Sequence, residues 1–302
     1  PSELENEKPQ GSGLTVNRVR NQLSGYPQGI IPEHCTALVK FIDVGKHYLH
    51  WAVCAFRDNA TGFIIDYGAQ ETYNASKDDE KAEEHAILSA LHTIRETWEA
   101  QPYLTNGGEI PEVDLVFVDA GEWTSLIYAF CKEVGAPFIP SMGAGGSSRR
   151  ATPFRMPKTE SDKRWIGDNW YTDYQEKHGI WLYMLNADHW KSWVHKRFFT
   201  PPERPGSLTV FSSDDFKQHM SFSHHLTAED YVQQFIPGKG MKWMWNKKRK
   251  ANHWFDCVYG CCAAASVCGV KLVAPPPEEP VPAPNTRINI SMPDGRPFFV
   301  TA

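Results

Sequence analysis

The sequence predicts a mixed α/β domain with a five-stranded sheet flanked by helices. Three apolar runs separated by short turns indicate an antiparallel meander, and they span residues 35–44, 47–56 and 61–67. Apolar residues then recur at helical spacing between about residues 78 and 100. The first half of the domain therefore consists of three strands followed by a helix.

Two further short apolar runs follow that helix. Residues 113–119 and 137–140 are predicted strands, and residues 123–134 between them are a predicted helix. A meander, a helix, a strand, a helix and a strand is the element order of the ribonuclease-H-like fold. In that fold the fourth and fifth strands run parallel to the first, and helices cover both faces of the sheet.

The second half of the chain is less regular. Residues 141–179 are rich in Gly, Ser, Arg, Pro and Trp without periodicity, which predicts a long irregular insertion. The later predictions are a strand at 180–185, a helix at 188–198 capped by Asp188, a helix starting at Leu226 with Thr227 as its cap, and a final helix at 251–270.

Composition limits the domain organisation and the partners. We expect a disordered segment at 1–24, one ribonuclease-H-like domain at 25–271, and a proline-rich linker with a small terminal hairpin at 272–302. The formal net charge of −5 means that any contact with nucleic acid requires a local basic patch. No apolar run is long enough to span a bilayer, so no membrane contact is expected.

Three aspartates lie where chemistry is plausible. Asp43 ends the first predicted strand, Asp119 ends the fourth, and Asp256 lies near the start of the last helix. A single aspartate at a strand end is more often a turn or capping residue. Three of them on elements that the fold brings together instead predict a cluster that repels itself unless cations neutralise it. Oxygen ligands favour Mg²⁺ or Mn²⁺, and two such ions can support phosphodiester hydrolysis.

Several segments resemble one protein family in the same order. They are GYPQGIIPEHCTALVKFIDVGKHYLHWAV, VDLVFVDAGEWTSLIYAFCKEV, LNADHWKSWVHKRF, FSHHLTAEDYV and WNKKRKANHWFDCVYGCCAA. Together they are similar to the nuclease part of the phage terminase large subunit, in its lambda-like (GpA) branch, over about residues 25–270. Two departures are Gly45, where the family has Gln, and His253, where it has Glu.

The resemblance implies an endonuclease that cuts double-stranded DNA during viral genome packaging in the host cytoplasm. It implies that Asp43, Asp119 and Asp256 are the catalytic, metal-binding acids. Asp188 and Lys191 match family positions and are candidate supporting residues, although a helix cap and a solvated lysine would explain them equally. His253 could orient water near the metals. The implied partners are the terminase ATPase domain, the small terminase subunit and the portal.

A basic run precedes the last helix. Lys247, Lys248, Arg249 and Lys250, with Lys242 upstream, are candidate DNA-binding residues, and a solvated surface is the alternative. The only glycine-rich stretch, MGAGGSSRR, lacks the Gly-Lys-Ser/Thr of a phosphate-binding loop. We therefore expect the nuclease half of a terminase without its ATPase half.

Two other functions remain open from the sequence. One is another nuclease on the same fold, such as a transposase or integrase or a Holliday-junction resolvase. Strand transfer or junction resolution, rather than cutting of linear duplex, would identify it. The other is a catalytically silent module that binds DNA or docks on the portal, and tight DNA binding without metal binding would identify that module.

Overall fold

A computed structural model of the protein describes residues 13–73, 79–145, 153–215, 217–236, 238 and 240–271. The strands are β1 (Leu23–Pro27), β2 (Ile30–Ile31), β3 (Ala37–Val44), β4 (Tyr48–Phe56), β5 (Gly62–Glu71), β6 (Leu104–Thr105), β7 (Leu115–Asp119), β8 (Phe138–Ala144), β9 (Trp170–Gln175), β10 (Ile180–Asn186), β11 (Leu208–Ser212), β12 (Glu229–Ile236) and β13 (Gly240–Lys247). The helices are α1 (Val16–Asn21), α2 (Glu80–Ala100), α3 (Thr124–Val134), α4 (Ala187–Arg197), α5 (Met220–Leu226) and α6 (His253–Val267).

The centre of the main sheet confirms the predicted fold. Its strands lie in the order β5-β4-β3-β7-β8, with β3, β4 and β5 antiparallel and with β7 and β8 parallel to β3. This is the ribonuclease-H-like arrangement. Strand β3 is buried along nearly all of its length because helices cover both faces of the sheet. That double burial explains why its sequence is a continuous apolar run rather than an alternating one.

The sheet is wider than the sequence predicts. Within the described residues it has nine strands, because β11 and β1 extend it beyond β5, and β10 and β9 extend it beyond β8. Strand β9 lies inside the predicted irregular insertion and pairs with β10 as an antiparallel hairpin. Among the described residues of that insertion, Ser161 and Arg164 also form an isolated bridge. The insertion is therefore partly ordered, since its tryptophan and tyrosine residues can pack on the edge of the sheet.

Two apolar cores lie on opposite faces of the sheet. Helices α2 and α3 pack against one core, and α4, α5 and α6 against the other. Helix α6 crosses β3 and β4 at very short range: a Cβ atom at Gly260 would lie 2.0 Å from the Phe41 ring. Only glycine permits this close contact between the middle of α6 and the middle of β3.

The predicted helix at Leu226 is wrong. Leu226 is the last residue of α5, and the Thr227 hydroxyl donates to the Ser223 carbonyl at 2.8 Å, so that it binds the preceding helix. The chain then forms the β12–β13 hairpin, a two-stranded sheet separate from the main one. Two features oppose a helix here: the aromatic and β-branched residues of β12, and the buried ion pair of Glu229.

Two other predictions need correction. Helix α4 is capped by Asn186, whose side chain accepts from the His189 amide, and Asp188 lies in its first turn instead. The segment 1–24 was expected to be disordered, but residues 16–21 form α1 and Leu23 begins β1. The apolar Leu14 and Val19 are buried in the core, which explains the order. Residues 1–12 and the predicted linker and hairpin at 272–302 lie outside the described residues.

Candidate metal centre

Asp43 and Asp119 lie at the same end of neighbouring parallel strands: Asp43 is the residue before the last of β3, and Asp119 is the last of β7. Ile42 of β3 is in register with Val118 of β7, so the next residue on each strand is an aspartate at the same end of the sheet. Burial, followed by the charges of Asp43 and Asp256, raises the pKa of Asp119 well above its usual range. The two strand-end carboxylates therefore share one poorly solvated space.

Helix α6 brings the third acid to this place. Asp256 lies in its first turn, and its charge helps to raise the pKa of both strand-end aspartates. For Asp43 the main cause of the raised pKa is burial, which the hydrogen bond from His253 partly offsets. The charges of Asp43, Asp119 and Asp256 therefore act on one another at this end of the sheet.

Histidines border the cluster on the Asp43 side. Nδ1 of His253 lies 2.7 Å from Oδ2 of Asp43, and the His50 ring stacks on the His253 ring with centroids 4.4 Å apart. The hydrogen bond to Asp43 raises the pKa of His253. Burial and the neighbouring histidines lower the pKa of His50 to about 3. Asp43, His50 and His253 each offer a ligand atom, and these atoms lie within 4.8 Å of one another.

A buried lysine borders the cluster on the other side. Nζ of Lys191 lies 3.1 Å from Oδ1 of Asp256 and donates to both carboxylate oxygens of Glu229, at 2.9 and 3.0 Å. Burial alone would lower the pKa of Lys191, but the charges of Asp256 and Glu229 outweigh it and raise the pKa. Asn252 completes the network, since its amide donates to Glu229 and Asp256, at 2.7 Å in both cases.

Sequence reasoning missed two members of this network. Glu229 is completely buried, yet the sequence predicts it at the start of a helix. Asn252 directly precedes His253, and the sequence predicts no role for it. The feature that identifies Glu229 is its ion pair with Lys191, which joins β12 to α4, and no local sequence pattern reveals such a pair.

Asp188 lies against Gly145 at the end of β8, where a Cβ atom at Gly145 would meet its Oδ1 at 2.6 Å.

The basic run does not behave as one uniform patch. Lys248 forms an ion pair with Asp230, and Arg249 donates to the Thr227 hydroxyl and to the His224 carbonyl. Lys247 lies beside the cluster, because its Nζ donates to Oδ1 of Asn252 at 3.2 Å and is 4.0 Å from Oε1 of Glu229, and Lys250 is exposed. The side chain of Lys242 lies outside the described ones. Lys247 and Lys250 are therefore the members best placed for an external anion.

Among the described residues, the ligand atoms that converge within 4.8 Å belong to Asp43, His50 and His253, and no such group includes Asp119 or Asp256. Carboxylates are hard ligands, and three of them in a space of low solvation are destabilised by mutual repulsion unless positive charge joins them. Lys191 lies next to Asp256, and His253 lies next to Asp43. The pKa of Asp119 is raised well above its usual range, because burial and the charges of Asp43 and Asp256 all act in that direction.

A half-buried group of acids at the strand ends of a ribonuclease-H-like sheet is typical of nucleases. The chain matches the family model described as terminase large subunit gpA, endonuclease domain, over residues 6–276. It therefore belongs to that family of viral genome-packaging nucleases. No match to the chain was found among curated proteins or among solved structures. In the described part of the chain, no helix is long and apolar enough to cross a membrane.

Proposed function

We propose that the chain is a divalent-metal-dependent endonuclease that hydrolyses double-stranded DNA at the Asp43–Asp119–Asp256 cluster. The observation that carries the proposal is the convergence of three acids, two of them with raised pKa values, at one end of the sheet of a terminase nuclease domain. As in the sequence analysis, the proposed cofactors are two ions of Mg²⁺ or Mn²⁺. The proposed packaging partners are the terminase ATPase domain, the small subunit and the portal, in the host cytoplasm.

The acids would hold the ions, and their neighbours would orient the acids. Bound divalent cations would supply an activated water and a positive charge for the leaving oxygen of the phosphodiester. His253 holds one oxygen of Asp43, and Lys191 and Asn252 hold Asp256. Glu229 is buried behind Lys191 and makes no approach to solvent. We therefore assign Lys191, Asn252, Glu229 and His253 to positioning rather than to reaction with the phosphate.

An acidic protein needs nearby cations to retain DNA. Lys247 lies beside the cluster and Lys250 is exposed three residues further along the chain, and both would bind phosphates near the scissile bond. Such contacts carry no sequence information, so we propose cutting with little sequence preference. The proposed DNA-binding set remains Lys242, Lys247, Lys248, Arg249 and Lys250, with Lys247 and Lys250 making the direct contacts.

The test is cleavage of supercoiled plasmid with Mg²⁺, with Mn²⁺ and with EDTA. We expect nicked and linear products with either metal, none in EDTA, and no ATP hydrolysis. The Asp119→Asn variant is the matched negative control. Undiminished cutting in EDTA would exclude the metal-dependent reaction. Resolution of a four-way junction without cutting of linear duplex would favour the resolvase alternative instead.

A further inference from the structure

One face of the β12–β13 hairpin forms a continuous stripe that begins at the acid cluster. Because residues opposite each other in an antiparallel pair point to the same side, alternate pairs share this face. In order from the root, the pairs are Glu229 with Lys247, Tyr231 with Trp245, Gln233 with Trp243, and Phe235 with Met241. We call these four pairs the hairpin stripe.

The root of the hairpin stripe is packed into the site. Glu229 binds Lys191, and Lys247 lies beside Asn252. Trp245 is buried against Phe255 of α6, and its Nε1 donates to the Asp188 carbonyl at 3.2 Å. These contacts turn the stripe toward the end of the main sheet that carries the acids, where α4 also begins.

The outer part of the stripe is apolar and exposed. The Tyr231 ring stacks on the Trp243 ring with centroids 5.6 Å apart, and both side chains are half-buried. Beyond them, Phe235 is 64% exposed and Met241 is 54% exposed. Two large apolar side chains that face each other on an exposed hairpin contribute nothing to a core, so they are expected to meet a partner.

We propose that the hairpin stripe lies along a groove of the DNA duplex, with Phe235 and Met241 as apolar contacts in that groove. The inference rests on the proposed function and deepens it. Six residue steps separate Glu229 from Phe235, which corresponds to about 20 Å of strand. The rise of a duplex is about 3.4 Å per base pair, so the tip would contact DNA about six base pairs from the scissile phosphate.

The chemistry of the stripe suits a duplex. Lys247 at the root offers a cation to the backbone, and the rings and thioether further out offer apolar surface to sugars and base edges. A two-stranded ribbon is narrow enough to enter a groove of DNA. Apolar contacts of this kind add affinity that does not depend on salt, whereas lysine contacts add affinity that salt removes.

The experiment compares the Phe235→Ser/Met241→Ser double variant with the Ile110→Ser/Phe199→Ser double variant. The control also removes two exposed apolar side chains, 63% and 45% exposed, but from other parts of the surface. Binding of a labelled 30-base-pair duplex is measured in Ca²⁺ at several salt concentrations. We expect the hairpin variant to bind about tenfold more weakly, with an unchanged log–log salt slope, and the control to bind like the natural protein.

A series of duplex lengths gives a second readout. The natural protein should gain affinity when the duplex becomes long enough to reach the hairpin tip, and the hairpin variant should lose that gain. Equal affinities of the hairpin variant and the natural protein for DNA would overturn the inference. They would indicate that the tip of the hairpin binds a protein partner instead. A flattened salt slope would overturn it as well, since the tip would then act through the lysines. If the natural protein itself bound no duplex, the proposed function would fail first.

Discussion

The ammonium of Lys191 lies between two carboxylates, 3.1 Å from Oδ1 of Asp256 and 2.9 Å from Oε2 of Glu229. Lys191 and Glu229 are both buried, whereas the Asp256 side chain is 23% exposed. One carboxylate thus neutralises the lysine from the protein interior, and the other faces the place where substrate would bind. The pair of Lys191 and Glu229 therefore holds Asp256 in position at the cost of a buried ion pair.

Replacing Lys191 by Met should strongly destabilise the fold. Glu229 would remain buried without its cation, and breaking a buried pair in this way costs about 3–5 kcal/mol. The Lys191→Met/Glu229→Gln double variant should recover much of that loss, because the fully buried carboxylate is removed and the Asp256 side chain, which also loses Lys191, is 23% exposed. Urea denaturation of both single variants and the double variant gives the coupling energy. Additive losses would show that the two side chains do not act as a pair.

Replacing Asp43 by Asn should abolish cleavage and leave the fold intact. The buried carboxylate of Asp43 is near the charge of Asp256, so neutralising it relieves repulsion in the metal-free protein. We expect an unchanged or higher melting temperature in EDTA, and a smaller increase than in the natural protein when Mn²⁺ is added. An active Asp43→Asn protein at saturating Mn²⁺ would contradict the assigned role.

Neutralising Lys247 and Lys250 together should weaken duplex binding similarly for unrelated sequences. Each lost phosphate contact should lower the log–log salt slope by about one unit. Replacing Lys248 and Arg249 instead is the matched control, because their partners Asp230, Thr227 and His224 lie outside the acid cluster. Fluorescence titration of labelled duplex at several salt concentrations measures both. An unchanged slope for Lys247 and Lys250 would identify the run as a solvated surface.

Replacing Lys40 by Met should stabilise the protein in a way that depends on pH. Lys40 is buried on the other face of the sheet, with Nζ 4.1 Å from the centroid of Trp98, and burial lowers its pKa to about 7. Between about pH 7 and pH 10 the unfolded chain binds a proton that the folded chain does not, so stability of the natural protein rises with pH in that window.

The benefit of Lys40→Met should therefore be greatest at pH 7 and below, and should shrink by a few kcal/mol toward pH 10. Urea denaturation at pH 6, 7, 8.5 and 10 follows this change. The absolute difference is less informative than its trend, because the variant also alters the surroundings of Asp66. A difference that is constant from pH 6 to pH 10 would show that Lys40 titrates normally in the folded state.

Replacing Gly260 by Ala should lower both stability and activity. The new methyl group would overlap the Phe41 ring, so α6 must move away from β3 or the ring must leave its rotamer, at about 1–3 kcal/mol. Movement of α6 would also displace Asp256. The Gly260→Ala/Phe41→Leu double variant should regain part of the loss, as thermal unfolding and plasmid cleavage can show. If the double variant recovered neither stability nor activity, the loss in Gly260→Ala would not come from overlap with the Phe41 ring.

The sequence by itself determined the central fold and the three acids. Strands β3, β4, β5, β7 and β8 are apolar runs bounded by turn residues, and such local patterns persist in the folded chain. Asp43 and Asp119 could be placed together because parallel neighbours in a sheet end on the same side. Asp256 joined them through its position on the last helix.

Only the tertiary structure decided how the cluster is held and bounded. Glu229 was expected in a helix, yet it lies in a strand because its carboxylate pairs with Lys191, 38 residues earlier in the chain. His50 and His253 come together only because α6 packs on β4. Contacts between residues so far apart in sequence depend on burial and charge pairing after folding. A local pattern of residues carries no record of them.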